Sequence, residues 1–376
     1  MTIIFIRSLN IRDKSKKNLL IKQYIFNFAE DIDMIVTKES ARAFKAMVLA
    51  SKRVVIVGHL NPDGDCVGSV TGMKSWIRSL CSAECSVVLP NAGPDYLNFL
   101  DPQEEIVYFF DSKEKGAELI SASDLIIAMD FNTLSRTEWM KEYIASSTAR
   151  KVLIDHHPSP EPFADLTIST TEISSASELT WWLLKETGEE VPMESCISLY
   201  TGMMTDTNNF SNSVFASTFL MASQIEERKV DREKIQMNVL NSFSESRMRL
   251  MGKMLLEKMR IFPHLKAAVM VMDKKTQEEF NYKEGDSEGF VNLALKIAEV
   301  EVSGFFTETE NYIKVSLRSK GAVSVNALSR RFFNGGGHER AAGGRIYIPV
   351  HQVEEYFKNS LESFLKEING TPFDTK

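Results

Sequence analysis

The sequence predicts two α/β domains in tandem, the first of them built on a parallel sheet. Short apolar runs recur along its first half, at Val54–Val57, Cys85–Leu89, Ile106–Phe110, Asp124–Met129 and Lys151–Ile154. Helical or polar segments separate these runs, and this alternation is typical of βαβ units. A chain of 376 residues is long enough for two domains that each bury a core.

Composition and charge narrow the class of protein. The chain is 43% hydrophobic and has no apolar run near the roughly 18 residues that span a bilayer, so we expect no membrane segment. Its four cysteines fit no zinc-site spacing and are too few for a disulfide framework, which predicts a reducing, cytoplasmic location. The net charge of −7 argues against binding of long nucleic acid through a basic surface. Any nucleotide substrate is expected to be short, and a homodimer is left open.

Changes of pattern divide the chain into four segments. Residues 1–33 form a basic N-terminal extension, and residues 34–215 form the first α/β domain. The stretch 216–261, rich in Met, Leu, Lys and Glu, predicts one or two connecting helices, and residues 262–376 form a smaller α/β domain. Helices are expected at Ser40–Ser51, at Ser69–Leu80 and around Trp181–Leu184, and strands of the second domain at Lys266–Met272, Tyr312–Arg318 and Arg345–Pro349.

Acidic and imidazole side chains cluster where the predicted strands end. They are His59, Asp63 and Asp65 after the first strand, Asp130 after another, Asp155 and His156 after the next, and Asp206 further along the chain. Parallel strands end at one sheet edge, where open α/β sheets build their active sites. Each residue alone is more often a helix cap or a hydrogen-bonded side chain, but together they favour a metal centre. The set is too large for one ion with open positions and suits two ions bridged by a shared carboxylate, about 3.5–4 Å apart.

A glycine-rich segment in the second domain predicts an anion site. Gly335, Gly336 and Gly337 are able to present backbone N–H groups to a phosphate, and His338, Arg340 and Arg318 add charged donors. Asn326 and Ser319 are weaker candidates for contacts to a base or a ribose. Cys66 lies close to Asp63 in the sequence, and in an oxygen-rich site we expect it to be a packing residue.

The chain resembles the DHH phosphoesterase family. The residues that carry this resemblance are Gly58–Asp65, Met129–Asn132 with Arg136, Asp155–His157 and Gly202–Thr207, which look like the four motifs of that family. Ser316–Ser319 and Gly335–Gly344 resemble its DHH-associated C-terminal domain, which binds substrate phosphates or nucleotide. Cys66 stands where relatives often have Ala, and Asn132 where Thr or Ser is frequent. Neither departure affects a ligand.

The resemblance implies a role for each matching residue. One ion would be held by His59, Asp63 and Asp130, and the other by Asp65, Asp130, His156 and Asp206. His157 would contact the scissile phosphate or protonate the leaving oxygen, Asp155 would orient the ligand histidine, and Arg136 would bind substrate. The expected ions are two Mn²⁺, with Mg²⁺ or Co²⁺ as alternatives.

Within that family, the chain resembles the bacterial bifunctional oligoribonucleases that also remove the 3′-phosphate of adenosine 3′,5′-bisphosphate (pAp). The resemblance therefore implies a two-metal hydrolase acting on short RNA or on mono- and dinucleotides. A cyclic- or linear-dinucleotide phosphodiesterase is the first alternative. A nucleotide-sensing module with degenerate chemistry is the second, and the intact ligand set opposes it. A pyrophosphatase is disfavoured, because that branch has a different second domain without the Gly-Gly-Gly-His sequence.

Overall fold

The computed structural model describes residues 35–369, which form two compact units. One unit runs up to Gly93 and continues over Leu97–Val239, and the other contains Pro94–Tyr96 and the chain from Leu240 onward. The predicted basic extension, residues 1–33, lies outside the described residues. Each unit has its own six-stranded sheet with packed helices, so the predicted α/β fold class is confirmed.

The sheet of the first unit is entirely parallel. Its strands are β1 Arg53–Val57, β2 Glu84–Leu89, β3 Val107–Tyr108, β4 Leu125–Met129, β5 Arg150–Asp155 and β6 Leu166–Ser169. They are ordered β3-β2-β1-β4-β5-β6. This is a doubly wound order, in which the direction of winding reverses between β1 and β4. Ligands of such sheets bind outside the carboxyl ends of the strands at the reversal.

Eight helices accompany this sheet in the described chain. They are α1 Lys38–Ala50, α2 Gly64–Leu80, α3 Lys113–Ala122, α4 Lys141–Ser146, α5 Ala176–Glu186, α6 Met193–Asp206, α7 Ala216–Glu227 and α8 Arg232–Leu240. Helix α2 begins five residues before the predicted start, because Asp63 caps it by accepting hydrogen bonds from the amides of Asp65 and Cys66. Trp181 and Trp182 are buried in α5, as predicted. None of the helices within residues 35–369 combines the length and apolarity needed to cross a membrane.

Three glycines on one face of α2 bring it close to α6. A methyl group at Gly68 would lie 2.6 Å from the carbonyl oxygen of Ser198 and 2.8 Å from the amide nitrogen of Gly202. Methyl groups at Gly64 and Gly72 would equally overlap side chains of α6. The four-residue spacing places the three glycines on one helix face, so the backbones of α2 and α6 approach each other closely.

The second unit has a mixed sheet. Its strands are β7 Met259–Phe262, β8 Ala267–Met272, β9 Val302–Glu308, β10 Ile313–Ser319, β11 Gly336–His338 and β12 Ala341–Ile346, in the order β11-β12-β10-β9-β8-β7. Only β8 and β9 pair in parallel among these strands. The accompanying helices are α9 Glu245–Lys253, α10 Lys274–Glu279, α11 Phe290–Leu293, α12 Val325–Phe332 and α13 Val353–Asn369. Phe306, Phe333 and Phe357 pack together in one of its cores.

The segment 216–261 differs from the prediction of one or two connecting helices. It contains three helices, α7, α8 and α9, followed by a π-helical turn at Met254–Lys258 and the start of β7. A left-handed Lys229 follows the end of α7, and the Ser244 hydroxyl caps α9 by accepting from the amide of Arg247. These local stop and start signals divide a stretch whose composition alone is uniformly helical.

The last predicted strand is also displaced, from Arg345–Pro349 to Ala341–Ile346. Its Ala-Ala-Gly-Gly residues have low strand propensity, which hid them from a sequence-based assignment. They are small because neighbouring backbone lies close to them, and a methyl group at Gly344 would be 2.2 Å from the Phe333 carbonyl oxygen. Strand β9 was missed for a related reason, since Gly304 interrupts its apolar run and leaves space for the ring of Phe357.

A buried lysine in the first unit predicts a pH-dependent contribution to stability. Lys74 is only 6% exposed, and its ammonium lies 2.7 Å from Glu105, which also pairs with Arg78. Hydrogen bonds from Lys74 and Arg78 lower the pKa of Glu105 to about 2. The pKa of an unfolded Glu is about 4.3, so this stabilisation is complete above that pH and is lost as the pH falls towards 2.

We therefore expect Glu105→Gln to lower the free energy of unfolding near pH 7 by about 1 kcal/mol, a small value because the carboxylate is partly screened by solvent. The difference from wild type should shrink between pH 5 and pH 3. Urea denaturation at several pH values measures it. A difference that stays constant across this range would contradict the ion-pair explanation.

Candidate metal centre

The predicted ligands of the first unit converge at the reversal point of its sheet. His59 follows β1 by two residues, Asp130 follows β4 directly, and His156 follows β5 directly. These three strands are neighbours and run in parallel, so their carboxyl ends lie side by side. His59, Asp130 and His156 are at most 5% exposed. The edge of the sheet therefore carries a buried cluster of imidazoles and carboxylates.

The residues after β1 present one imidazole and two carboxylates. The Nδ1 of His59 lies 2.8 Å from the carbonyl oxygen of Leu60, to which it donates, so Nε2 carries the lone pair. That Nε2 lies 3.3 Å from Oδ2 of Asp130 and 4.0 Å from Oδ1 of Asp63. The hydrogen bond to the backbone thus holds the ring in the tautomer that is able to bind a cation.

Asp65 is held rigidly by the start of α5. Its Oδ2 accepts a hydrogen bond of 2.7 Å from the amide of Ala176, and its Oδ1 accepts one of 2.8 Å from the amide of Ser177. The carboxylate thereby satisfies two N–H groups that a helix N-terminus leaves without intrahelical partners. Burial, together with the nearby charges of Asp130 and Asp206, raises the pKa of Asp65 well above its usual range.

Asp130 occupies the middle of the cluster. Its backbone has φ of +61°, in the left-handed region that side-chain-bearing residues seldom adopt, and strain of this kind concentrates at functional sites. Oδ2 faces His59, whereas Oδ1 lies 3.4 Å from Nε2 of His156. Oδ1 is buried and has no hydrogen-bond partner among the described residues. The two oxygens of one carboxylate therefore face two different groups of ligand atoms.

His156 completes the second group. Its Nε2 lies 3.7 Å from Oδ2 of Asp65 and 3.8 Å from Oδ2 of Asp206, which stands at the end of α6. Burial lowers the pKa of His156, but the contact with Asp130 and the charges of Asp206 and Asp65 outweigh burial and raise it to about 10. The surrounding carboxylates thus favour a positive charge at this position, and a bound cation would supply one.

The distances across the cluster fit shared cations better than direct hydrogen bonds. The contacts of 3.3–4.0 Å between imidazole nitrogens and carboxylate oxygens are too long for strong hydrogen bonds. Ligand atoms about 2.1 Å from one ion are separated by about 3.0 Å when adjacent and about 4.2 Å when opposite. Oxygen and imidazole donors suit a hard or borderline divalent cation. The residues therefore fit the expected metal centre, and the contacts of Asp130 reach both groups of ligand atoms.

A second chain of contacts lies beside this cluster. Nδ1 of His157 donates to Oδ1 of Asp155 at 2.8 Å, and Nε2 of His157 lies 2.9 Å from a guanidinium nitrogen of Arg136. Burial is the main reason that the pKa of His157 is lowered, and the charge of Arg136 adds to it. The sequence-based expectation was that Asp155 orients the ligand histidine. The structure instead places its hydrogen bond on His157, because side chains of alternate residues leave a strand on the same side.

Sequence reasoning missed two parts of the site. The first is the N-terminus of α5, where Ser175 caps the helix and the following two amides bind Asp65. The second is the glycine face of α2, which brings Asp65 close to the helix that carries Asp206. The signals for both were present, as a Ser-x-x-Glu capping pattern at 175–178 and as glycines spaced by four residues at 64, 68 and 72. Cys66 has the expected packing role, since it is fully buried and its sulfur fills the space beside Gly58.

Two predicted substrate-binding residues of the second unit make hydrogen bonds within the protein. The hydroxyl of Ser319 is buried and donates to the carbonyl oxygen of Val323 at 2.7 Å. Oδ1 of Asn326 accepts from the amide of Gly337 and from Arg330. These hydrogen bonds join the end of β10 and the start of α12 to nearby segments of the same chain. The interpretation of Ser319 and Asn326 as ribose or base contacts stays a prediction.

The glycine segment is a β-hairpin rather than an open loop. Gly336–His338 form β11, which pairs with β12. The amide of Gly337 donates to Asn326 and that of Gly335 to the carbonyl oxygen of Ser329, so these two amides do not face an anion. A methyl group at Gly335 would be 1.9 Å from the Gly343 carbonyl oxygen, which explains the glycine there by close backbone approach. Arg340 is exposed, and Arg318 and His338 are half-buried, so their side chains are the remaining candidates for anion binding.

Comparison with known families covers both units. Residues 53–204 match the DHH family, N-terminal domain, and residues 264–371 match the DHHA1 domain. The matched segments include the whole cluster except Asp206, which lies two residues beyond the first match.

Individual relatives agree with these matches. The bifunctional oligoribonuclease and PAP phosphatase NrnA of Bacillus subtilis (strain 168) is 26% identical over 78% of this chain and 89% of its own length. The cyclic-di-AMP phosphodiesterase GdpP of the same organism is 24% identical over 87% of this chain but only 50% of its own. A crystal structure of an exopolyphosphatase-related protein from Bacteroides fragilis is 37% identical, with a TM-score of 0.82 over 87% of this chain and 97% of that one.

Proposed function

Because this chain belongs to the DHH family of phosphoesterases, we propose that it degrades short oligoribonucleotides and removes the 3′-phosphate of pAp. Metal-dependent hydrolysis of phosphoester bonds is the activity of the family. The observation that carries the proposal is the position of Asp130, whose two carboxylate oxygens face separate groups of ligand atoms. One buried carboxylate shared in this way is the arrangement that a pair of divalent ions requires.

We assign His59, Asp63 and Asp130 to one ion, and Asp65, Asp130, His156 and Asp206 to the other. The assignment is supported by the contacts of His59 with Asp63 and Asp130. Nε2 of His156 likewise lies near Asp65, Asp130 and Asp206. We take both ions to be Mn²⁺, because imidazole nitrogens accompany the carboxylate oxygens in each group. Mg²⁺ and Co²⁺ remain alternatives. The four carboxylates balance two dications, so an incoming phosphate meets a site of low net charge.

When bound, the two ions would lower the pKa of a bridging water and stabilise the entering and leaving oxygens of an in-line displacement. The protein groups beside them would position the phosphate. The charged guanidinium of Arg136 lies beside His157 and is able to donate further hydrogen bonds to a phosphate oxygen. Since Nε2 of His157 accepts from Arg136 and Nδ1 donates to Asp155, the imidazole is held neutral. This geometry favours a positioning role for His157 over protonation of the leaving oxygen.

The substrate class is supported by the relatives. Three proteins named as oligoribonuclease and PAP phosphatase, two of them without qualification, are 26–28% identical and match 78–86% of this chain. We extend their substrates to this chain, with Arg318, His338 and Arg340 as candidate anion-binding side chains of the second unit. A cytoplasmic location agrees with four cysteines that are all free thiols. The homodimer stays a prediction.

A second candidate is hydrolysis of cyclic dinucleotides. It is favoured by the match to the cyclic-di-AMP phosphodiesterase, which covers 87% of this chain although only 50% of that protein. Both activities would use the same ligands, so the metal centre does not discriminate between them. A nucleotide-sensing module without catalysis is the remaining alternative, and a metal-dependence assay on a chromogenic phosphodiester separates it from both.

A substrate panel tests the proposal. We expect the Mn²⁺-loaded enzyme to cleave diribonucleotides and pAp, and its rate on RNA to fall steeply as the strand lengthens. The reason is that long strands need extra backbone contacts, whereas the chain is net acidic and has no dense Lys/Arg tract after its N-terminal extension. The measurement is kcat/KM for pAp, cyclic di-AMP and RNAs from two to about two dozen nucleotides at physiological salt. Equal rates on the shortest and longest RNA would contradict it, and a preference for cyclic di-AMP would favour the second candidate.

A further inference from the structure

We propose that the exposed rings of Phe110 and Trp139 form a stacking platform for one nucleobase of the substrate, an inference that rests on the proposed function. The two residues are 67% and 47% exposed, and their ring centroids lie 5.2 Å apart at an interplanar angle of 45°. The other three tryptophans, at positions 76, 181 and 182, are buried. Exposure of this pair therefore calls for an explanation that core packing does not supply.

Both rings lie at the edge of the sheet that carries the metal centre. The amide of Phe110 donates to the carbonyl oxygen of Pro90, which extends the pairing of β3 with β2 beyond their carboxyl ends. Trp139 belongs to the 3₁₀-helical segment Leu134–Met140, which begins four residues after Asp130. The carboxyl ends of parallel strands form one edge, so the pair and the metal ligands share it.

The segment that carries Trp139 is hydrogen-bonded to residues of the candidate metal centre. The carbonyl oxygen of Arg136 accepts a 2.8 Å hydrogen bond from the amide of Leu60, the residue after His59. The guanidinium of Arg136 also contacts Nε2 of His157. Trp139 is three positions after Arg136, so their Cα atoms are at most about 11 Å apart. A phosphate held near Arg136 would thus place an attached nucleoside within reach of the indole.

A residue with an unusual backbone conformation precedes Trp139. Glu138 has φ of +45° and ψ of −112°, which interrupts the helical conformation directly before the tryptophan. On either side, Thr137 and Met140 are fully buried, and the Thr137 hydroxyl donates to the carbonyl oxygen of Leu134. The surrounding core therefore holds a strained residue directly before the exposed indole. Strain maintained in this way is characteristic of functional positions.

The size and surroundings of the pair favour a base over a protein partner. Exposed charged residues flank it in the sequence, at Asp111, Lys113 and Lys141. A stable protein interface buries about 800 Å² on each side, far more than two rings provide. A single nucleobase matches the area of the rings, and every base has a π face, so the platform would accept any sequence. This tolerance suits an enzyme that degrades short RNA of mixed composition.

The test compares Trp139→Leu, which keeps an apolar side chain without a π face, with Trp139→Phe, which keeps a ring. We expect the leucine variant to raise KM for diadenylate about tenfold while kcat changes little, and the phenylalanine variant to stay near wild type. Diadenylates that lack one base or the other identify the base that stacks. On the one that lacks the stacked base, wild type and Trp139→Leu should have the same KM. Equal KM values for wild type and Trp139→Leu on the intact dinucleotide would overturn the proposal.

Fluorescence provides a readout that does not depend on turnover. Trp139 is the exposed tryptophan, so titration of the Mn²⁺-loaded enzyme with a non-hydrolysable diadenylate phosphorothioate should quench its emission. Trp139→Phe is the blank and should show little change. If wild type failed to cleave any RNA but its emission were quenched, the proposed function would be wrong and the platform would stand. If wild type cleaved RNA normally but its emission were not quenched, and if KM were unchanged in Trp139→Leu, the platform would be wrong. In that case, a change in the solution mass of Trp139→Leu would assign the pair to a contact between copies of the chain.

Discussion

Replacing Asp130 by alanine is expected to abolish hydrolysis and leave the fold intact. The carboxylate is 2% exposed and faces His59 with one oxygen and His156 with the other, so its loss removes a ligand from both proposed ions. The fold should survive, because a crowded anionic site loses repulsion when one carboxylate is removed. The measurements are kcat/KM on pAp and on a diribonucleotide, and the number of bound Mn²⁺ ions per chain.

Asp124→Ala is the matched control for this variant. Asp124 lies directly before β4, at the opposite end of the strand that Asp130 follows, and its carboxylate accepts from the amides of Lys52 and Arg53. We expect its replacement to cost stability but to preserve kcat and metal content. If Asp130→Ala keeps more than about a tenth of wild-type activity, the bridging assignment is wrong. A tenfold loss corresponds to about 1.4 kcal/mol of transition-state stabilisation.

Replacing Gly68 by valine is expected to separate α2 from α6 and to damage both stability and the metal centre. The added Cβ would lie 2.6 Å from the Ser198 carbonyl oxygen and 2.9 Å from Cα of Gly202, and backbone atoms of this kind cannot move aside without shifting a helix. We expect a loss of about 3 kcal/mol or more in the free energy of unfolding. Asp65 on α2 and Asp206 on α6 would no longer meet at one place, so Mn²⁺ affinity should fall as well.

Gly252→Ala isolates the steric effect from the general cost of changing a helical glycine. Gly252 lies in α9, and nothing stands within 4 Å of the position that its Cβ would take. That variant should be neutral or more stable by about 0.5–1 kcal/mol, because alanine is the better helix former. Denaturation midpoints and Mn²⁺ titrations of both variants check the comparison. A Gly68→Val protein as stable as wild type would show that the two helices are not held by close backbone contact.

The metal cluster was predictable because its signals are local. An apolar run such as Leu125–Met129 marks a buried strand, and the polar residue directly after it must lie at the carboxyl edge of a parallel sheet. His59, Asp130 and His156 satisfy this rule one strand at a time. No knowledge of the strand order was needed to place them at one edge. The order was needed only to make β1, β4 and β5 neighbours.

The glycine run of the second unit was harder to interpret, because the local pattern had two explanations. A run of glycines suits a phosphate loop and also suits strands whose backbones lie close together, and the sequence does not distinguish them. The structure assigns Gly335 to close backbone approach, with the Gly343 carbonyl oxygen in the space of its absent side chain. The hydrogen bonds of Ser319 and Asn326 were not predicted either. Ser319 donates to Val323 in the loop after β10, and Asn326 of α12 accepts from Gly337 of the hairpin, a contact that forms only when the two pack together.

The sequence by itself determined the fold class, the family and the candidate ligand residues, because strand periodicity and the polar residues that end each strand are properties of consecutive positions. The tertiary structure decided which side chains pair. Asp155 accepts a hydrogen bond from His157 and not, as predicted, from His156. Asp65 accepts hydrogen bonds from the first amides of α5, and three glycines allow α2 to pack closely against α6. These contacts join residues far apart in the chain or depend on how a side chain leaves a strand, and the geometry of such contacts exists only after the strands and helices have packed.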